Sequence, residues 1–179
     1  IGDYLAKEIS TGKIPTDLPE FDAAEKEVAG RIEKLINNKG TKPVDEFHKR
    51  LGKVMWDKVG MARNEKGLKE AIAEIKVIRE EFWKDVFVPG SDKGFNQELE
   101  KAGRVADFLE LGELFALDAL QRNESCGGHF REEYKTPEGE ALRDDKDFAY
   151  VAAWEYKGDN VEPALHKEEL KFEAIALKT

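Results

Sequence analysis

The chain has 179 residues, 40% of them hydrophobic, which fits one domain with a real core, or one domain with a small appendage. Charged residues make up 37% and the net charge is −9, which excludes nucleic acid as the main partner, because phosphate binding needs concentrated Lys and Arg. The sequence also has no polybasic patch for a membrane surface and no run near the roughly 18 apolar residues of a spanning helix, and its single cysteine excludes an internal disulfide framework and suits a reducing compartment.

The chain opens IGDYLAKEIS, without an initiator Met and without the charged-then-apolar pattern of a signal region. It reads as cut from the interior of something longer, with residues 1–18 as a connector. Ile1, Tyr4, Leu5 and Ile9 fall at helical spacing and the stretch stops at Gly12. Pro15 and Pro19 bar helix before about residue 19.

Four helical segments follow, over residues 19–123. The first carries Phe21, Ala24, Val28, Ile32, Leu35 and Ile36 and ends at NNKG. Pro43 suits the first turn of the second, whose apolar line is Val44, Phe47, Leu51, Val54, Met55 and Val59. The third opens at Asn64, a good N-cap, runs through Leu68, Ile72, Ile75, Ile78, Phe82 and Val86, and closes at VPGSDKG. The fourth runs from about Asn96 to about Arg122. Between Val105 and Leu120 it is apolar nearly all round, interrupted only by Asp107, Glu110, Glu113 and Asp118. A helix apolar on most sides is surrounded by protein, so this segment is predicted to be the centre of the bundle, packed by the other three. Short loops favour antiparallel neighbours.

Residues 124–179 form the third section, a Gly-rich turn and a β segment. FAYVAAWEY (148–156) alternates Phe148, Tyr150, Ala152, Trp154 and Tyr156 on one side, and ELKFEAIAL (169–177) alternates Leu170, Phe172 and Ala174 against charges. These predict two antiparallel strands joined by KGDNVEPALHKE. The fold class is therefore mainly α: an antiparallel helical bundle followed by a small C-terminal β-hairpin segment, α+β in total.

ESCGGHFREE (124–133) concentrates the only Cys, paired glycines, a His and an Arg. Cys126 with His129 suggests a thiolate and its base, but the glycines break helical geometry, so three-residue spacing guarantees no contact. The bland reading is a free Cys packed as a small apolar residue. Zinc needs four ligands, and only Cys126 and His129 cluster, His48 and His166 lying far off in sequence. Asp107, Glu110 and Glu113 on one helix side lack the Glu-x-x-His pairs of a di-metal bundle, and read as a solvated stripe or as salt-bridge partners. Gly127 and Gly128 are predicted to turn the chain sharply out of the bundle. His129 and Arg131 then lie on a segment with two open readings, a contact surface or a solvated loop.

Several stretches together resemble one family. MWDKVGMARNEKGLKEAIAEI (55–75) is similar to a helix-turn-helix in the carboxy-terminal domain of succinate dehydrogenase and fumarate reductase flavoproteins. FLELGELFALDALQRNESCGGHFREE (108–133) resembles that domain's long helix and Glu-Ser-x-Gly-x-His turn. LRDDKDFAYVAAWEY (142–156) resembles its Arg-Asp-Asp segment and the strand beyond, and IGDYLAKEI resembles the chain just after the flavin-binding domain. Glu124, Ser125, Gly127, His129 and Arg131 match the turn, with Gly128 beside them, and Arg143, Asp144 and Asp145 match the later segment. Cys126 departs from the Arg that many members carry; the SCGGH form is more similar to complexes with a di-haem cytochrome b anchor. L-aspartate oxidase shares the domain and remains an alternative, as does a stand-alone helical interaction module.

The resemblance implies a parent that interconverts succinate and fumarate with FAD, passing electrons to an iron–sulfur subunit and on to quinone. It implies that the flavin, dicarboxylate and proton-shuttling residues belong to flavin-binding and capping domains outside this sequence. The chain itself then has no catalytic, cofactor or metal residues, is inactive alone, and serves as a structural brace. Its expected partners are those domains, the iron–sulfur subunit and, indirectly, the cytochrome b anchor, at the cytoplasmic face of the inner membrane.

Overall fold

The computed structural model describes residues 1–8, 15–158 and 161–174. Its first helix, α1 (Gly2–Glu8), buries no side chain. Ile9 and Gly12 of that predicted stretch lie outside the described residues. α2 (Pro19–Asn37) starts with proline in its first turn, where the missing N–H costs no hydrogen bond.

The core is built by α3 (Val44–Lys58), α4 (Glu65–Asp85) and α5 (Gln97–Gln121). Each presents its predicted apolar line inward: Val44, Phe47, Leu51 and Val54 from α3, and Leu68, Ile75, Ile78 and Phe82 from α4. Phe47 and Phe82 meet edge to face, centroids 5.3 Å apart and planes at 88°, a favoured aromatic arrangement. α5 contributes small residues, Ala102, Ala106, Ala116 and Ala119, between the larger Val105 and Leu109, so its neighbours approach closely.

Ion pairs fix the directions. Lys58 reaches Glu74 (2.8 Å) near one end of α3 and α4, and Arg50 reaches Glu81 (2.7 Å) toward the other, so the two run antiparallel. Arg79 bonds Glu110 (3.0 Å) and Glu113 (2.5 Å), and Lys76 lies 3.4 Å from Glu113, so α4 and α5 are antiparallel as well. The acidic stripe of α5 is thus a set of salt-bridge partners, with Asp107 taken by Arg31 of α2 at 3.0 Å.

Asparagines start α4 and α5: Asn64 accepts from Gly67 N (2.8 Å) and Asn96 from Leu99 N (3.0 Å). Asn96 also donates to Pro89 O and Ser91 O, folding the preceding loop onto the helix start. Two short parallel bridges, absent from any sequence expectation, latch opposite ends of the bundle. β1 (Lys42–Pro43), before α3, pairs with β3 (Val86–Phe87), after α4. The chain passes tightly there: a Cβ on Gly40 would lie 2.1 Å from Asp85 O, so only glycine fits. β2 (Ala62–Arg63), before α4, pairs with β4 (Phe130–Arg131), after α5.

Two expectations change. α5 is not enclosed by its own chain: Phe108, Leu111 and Phe115 are 41%, 51% and 57% exposed, opening on an apolar groove with His48, Leu51 and Met55 of α3. The reason is α2, of which Leu35 alone is buried, while Phe21, Val28 and Ile32 stay exposed. Second, the hairpin strands are β5 (Tyr150–Glu155) and β6 (Ala164–Glu169), antiparallel, with Trp154 opposite Leu165. The first matches expectation, Tyr150, Ala152 and Trp154 being partly covered and their neighbours exposed. The second lies in the stretch read as a loop, because this two-stranded ribbon leaves β6 mostly exposed and without an apolar alternation to read. Phe148 falls not in the strand but in a short helix, α6 (Asp145–Phe148). Residues 175–177 of the predicted strand lie outside the described residues. Among the described residues no helix is long and apolar enough to cross a membrane.

Candidate functional site

α5 ends at Gln121 with no basic residue in its last turn, so neither its orphan carbonyls nor the negative end of its dipole is answered from within the helix. The answer comes from later in the chain. Arg131, 1% exposed, donates from Nη1 to Ala119 O (2.9 Å) and Leu120 O (3.2 Å). Its Nε donates to Glu133 at 3.1 Å, and its guanidinium lies 5.3 Å from the Tyr134 ring centroid. A buried guanidinium with a carboxylate, two carbonyls and an aromatic face is a satisfied one.

Ser125, fully buried, holds Arg131 by its backbone: Oγ accepts from Arg131 N (2.8 Å) and donates to Arg131 O (3.2 Å). Glu124, 3% exposed, accepts from Arg122 Nη1 at 2.7 Å and from Asp144 N at 2.9 Å, joining the helix end to the Arg-Asp-Asp segment. Ser125 N also donates to Leu142 O. Among the described residues Arg143 pairs with Asp145 alone, at the surface, and Asp144 caps α6 by accepting from Asp147 N.

The glycine pair forms the tip of a tight hairpin. Cys126 and His129 exchange both backbone hydrogen bonds, at 2.8 and 3.0 Å. Gly127 has φ +58° and Gly128 is not in the left-handed region, so the strain falls on the first central residue, as in a type II′ loop. This corrects the expectation that both glycines turn the chain out of the bundle. The helix is ended by Arg122 in extended backbone (φ −90°, ψ 96°), before the glycines are reached, and open space surrounds both of them.

The His129 ring lies beside Arg122 O at 2.9 Å, with Nε2–H donating to that carbonyl. Burial, and then the charges of Arg63, Arg131 and Arg122, push its pKa below the ordinary value; the bond to the Arg122 carbonyl opposes them. No hydrogen bond joins Cys126 Sγ to the ring among the described residues, and Cys126 is partly covered. The ring is thus a structural donor, with no geometry for activating the thiol.

Sequence reasoning singled out the turn but not two arginines that lie against it. Arg122 donates to Phe148 O (3.1 Å) and Tyr150 O (3.2 Å) and stacks 5.0 Å from the Tyr150 centroid. Arg63, on β2 beside Arg131, donates from Nη2 to Gly128 O at 3.3 Å. The adjoining contacts, Asn64 to Glu132 (2.8 Å) and Glu65 N to Glu133 (2.5 Å), tie the start of α4 to the turn. No sequence signal marks Arg122 or Arg63, because each acts on backbone carbonyls brought near by the fold. The arrangement fixes chain geometry; it pairs no nucleophile with a base and, among the described residues, gathers no cluster of three metal-ligating side chains.

Residues 48–179 match the family model described as fumarate reductase flavoprotein C-term. The fumarate reductase flavoprotein subunit of Helicobacter pylori is 31% identical over 172 residues, covering 95% of this chain and 23% of that protein. The chain thus spans about a quarter of that relative's length. An E. coli quinol fumarate reductase superposes with a TM-score of 0.79 at 21% identity, over 96% of this chain and 28% of its own. Adenylylsulfate reductase of Archaeoglobus fulgidus shares the fold too, with a TM-score of 0.69 at 17% identity, over 84% of this chain and 25% of its own, so the fold does not specify a substrate. The match over residues 48–179 places this chain in the fumarate reductase and succinate dehydrogenase flavoprotein family, as its C-terminal domain.

Proposed function

We propose that this chain braces the flavin-binding part of a succinate:quinone oxidoreductase or fumarate reductase flavoprotein subunit and offers a surface to an iron–sulfur subunit. The parent interconverts succinate and fumarate on FAD and sends electrons through iron–sulfur clusters toward quinone. It sits as a peripheral subunit at the cytoplasmic face of the inner membrane. The observation that carries the reading is the buried turn at the end of α5. Glu124, Ser125 and Arg131 each hold backbone groups of the turn, an arrangement suited to presenting a rigid surface.

The residues present do not fit FAD. The sheets among the described residues are two-stranded, and none leads through a glycine-rich loop into a helix as a dinucleotide seat requires. The chain is therefore expected to be inactive alone. The test is the product of the whole reading frame that contains the sequence. Purified, it should show flavin absorbance, reduce fumarate or oxidise succinate, and retain an iron–sulfur subunit in a pull-down. A gene product without a flavin-binding region overturns the reading. A flavin-containing product that binds no iron–sulfur subunit and oxidises aspartate assigns the domain to L-aspartate oxidase instead.

A further inference from the structure

Among the described residues, Arg63, on β2 beside the turn, has a charge that no carboxylate answers. A guanidinium has five N–H donors, and among the described residues Arg63 uses one, in the long bond from Nη2 to Gly128 O. Its Nε is buried without an acceptor, and no carboxylate lies within ion-pair distance among the described residues. The neighbouring cations are all provided for: Arg122 by Glu124, Arg131 by Glu133 and Arg143 by Asp145. Asp118 acts on Arg63 from a distance, but its Oδ1 accepts from Trp154 Nε1 at 2.8 Å. Burial and the charge of Arg131 both work against the charged form of Arg63.

Nor is the position accidental. β2 pairs Arg63 with Arg131, Arg63 O accepts from Glu132 N (2.9 Å), and Asn64 caps α4. The backbone is pinned on both sides, so the side chain cannot leave with a loop. Two residues earlier Met61 is 89% exposed, and Trp56, on the last turn of α3, is 84% exposed. A partly desolvated cation held rigidly, with exposed apolar residues a few positions earlier in the chain, has the makeup of an interface anchor, where Arg and aromatic residues concentrate.

We propose that Arg63 receives a carboxylate from the remainder of the flavoprotein subunit, so that the segment 61–64 with the hairpin tip 126–129 is the docking edge of this domain. The occupant is polypeptide of the same subunit, because the H. pylori relative carries about three-quarters of its length outside the matched region. The inference rests on the bracing function above and names the surface that performs it.

The experiment is amide hydrogen exchange on the 179-residue chain and on the full-length subunit, wild type, Arg63→Met and Arg63→Lys. In the full-length wild type, segments 61–64 and 126–131 should exchange at least about tenfold more slowly than in the chain alone. Arg63→Met should abolish that extra protection while leaving the melting temperature of the chain alone unchanged or raised, since an apolar isostere relieves an unpaired charge. Arg63→Lys should restore part of it, keeping charge but losing the fork. The proposal is overturned if the full-length wild type shows no added protection, if Arg63→Met leaves that protection intact, or if Arg63→Met lowers the melting temperature of the chain alone, which would make Arg63 internal scaffolding. Full-length protein that holds flavin yet leaves these segments unprotected sinks the docking edge and not the family function; a product lacking a flavin domain sinks both.

Discussion

Phe47 and Phe82 meet edge to face within the packed faces of α3 and α4, among apolar neighbours. Where α5 ends, the largest fully buried side chain of the described chain is an arginine, and every group around it has an address: a carbonyl, a hydroxyl, a carboxylate. The first region is held by area and shape, which tolerate exchange for another apolar residue of similar volume. The second is held by complementarity of donors and acceptors, which tolerates almost none. Core stability and turn geometry can therefore be broken separately.

The largest effect should come from the apolar side. Phe82→Ala leaves a cavity against Phe47 and Trp83 and should cost about 3–5 kcal/mol, read as a uniform loss of exchange protection through α3, α4 and α5. Arg131→Met should cost about 2–3 kcal/mol, by uncapping the Ala119 and Leu120 carbonyls and freeing Glu133. The difference to look for is locality: protection over residues 122–148 should fall first while the core retains its own. Uniform loss in both variants would erase the distinction between the two regions.

The same contrast explains what the sequence discloses. The lines through Phe47, Leu51 and Val54 and through Leu68, Ile75 and Phe82 were legible because burial on a helix has a period. Asn64 and Asn96 are legible because a cap is local to the helix that it starts. The turn was located by composition, but its workings were not, since Arg131 meets Ala119 and Arg122 meets Tyr150 across distances in sequence that no spacing rule covers. β6 was missed for the opposite reason: an exposed ribbon strand imposes no pattern on its residues. The open face of α5 shows that an apolar perimeter reports that a helix is to be covered, without saying by what.

A smaller effect separates the two glycines of the hairpin tip. Gly127→Val forces a β-branched residue to φ +58° and should cost about 1–2 kcal/mol, whereas Gly128→Ala, in open space outside the left-handed region, should shift the melting temperature little. Equal effects would rule out strain confined to the first central residue.

The smallest effects lie in the acid limb, where a histidine and the carboxylates respond in separate windows. Near the hairpin, the folded His129 pKa is depressed below 6.5, so the unfolded chain takes its proton first and stability falls as pH drops below that value. At the other end, Glu81, bonded by Arg50 and Lys42, has a pKa lowered to about 2 from 4.5. Its contribution is complete above 4.5 and is lost as pH falls toward 2. Melting temperature followed from about pH 7 to about pH 3 should show two steps, the upper removed in His129→Gln and the lower, which Asp45, Glu133 and Glu155 share, made smaller in Glu81→Gln. A single step unaffected by His129→Gln would deny the turn its separate response.

The bridge between β2 and β4 has a consequence for how the chain is made. Asn64 and Glu132, joined across it, are 68 positions apart. A ribosome needs on the order of seconds to travel that far. Through that interval α4 exists with its amino end unlatched and its face at Leu68, Ala71 and Ile75 waiting for α5. The closure that finally aligns Arg63 with Arg131 spends loop entropy that only the finished bundle repays. The contacts between β2 and β4 thus form late, after both helices that they tie together have been made.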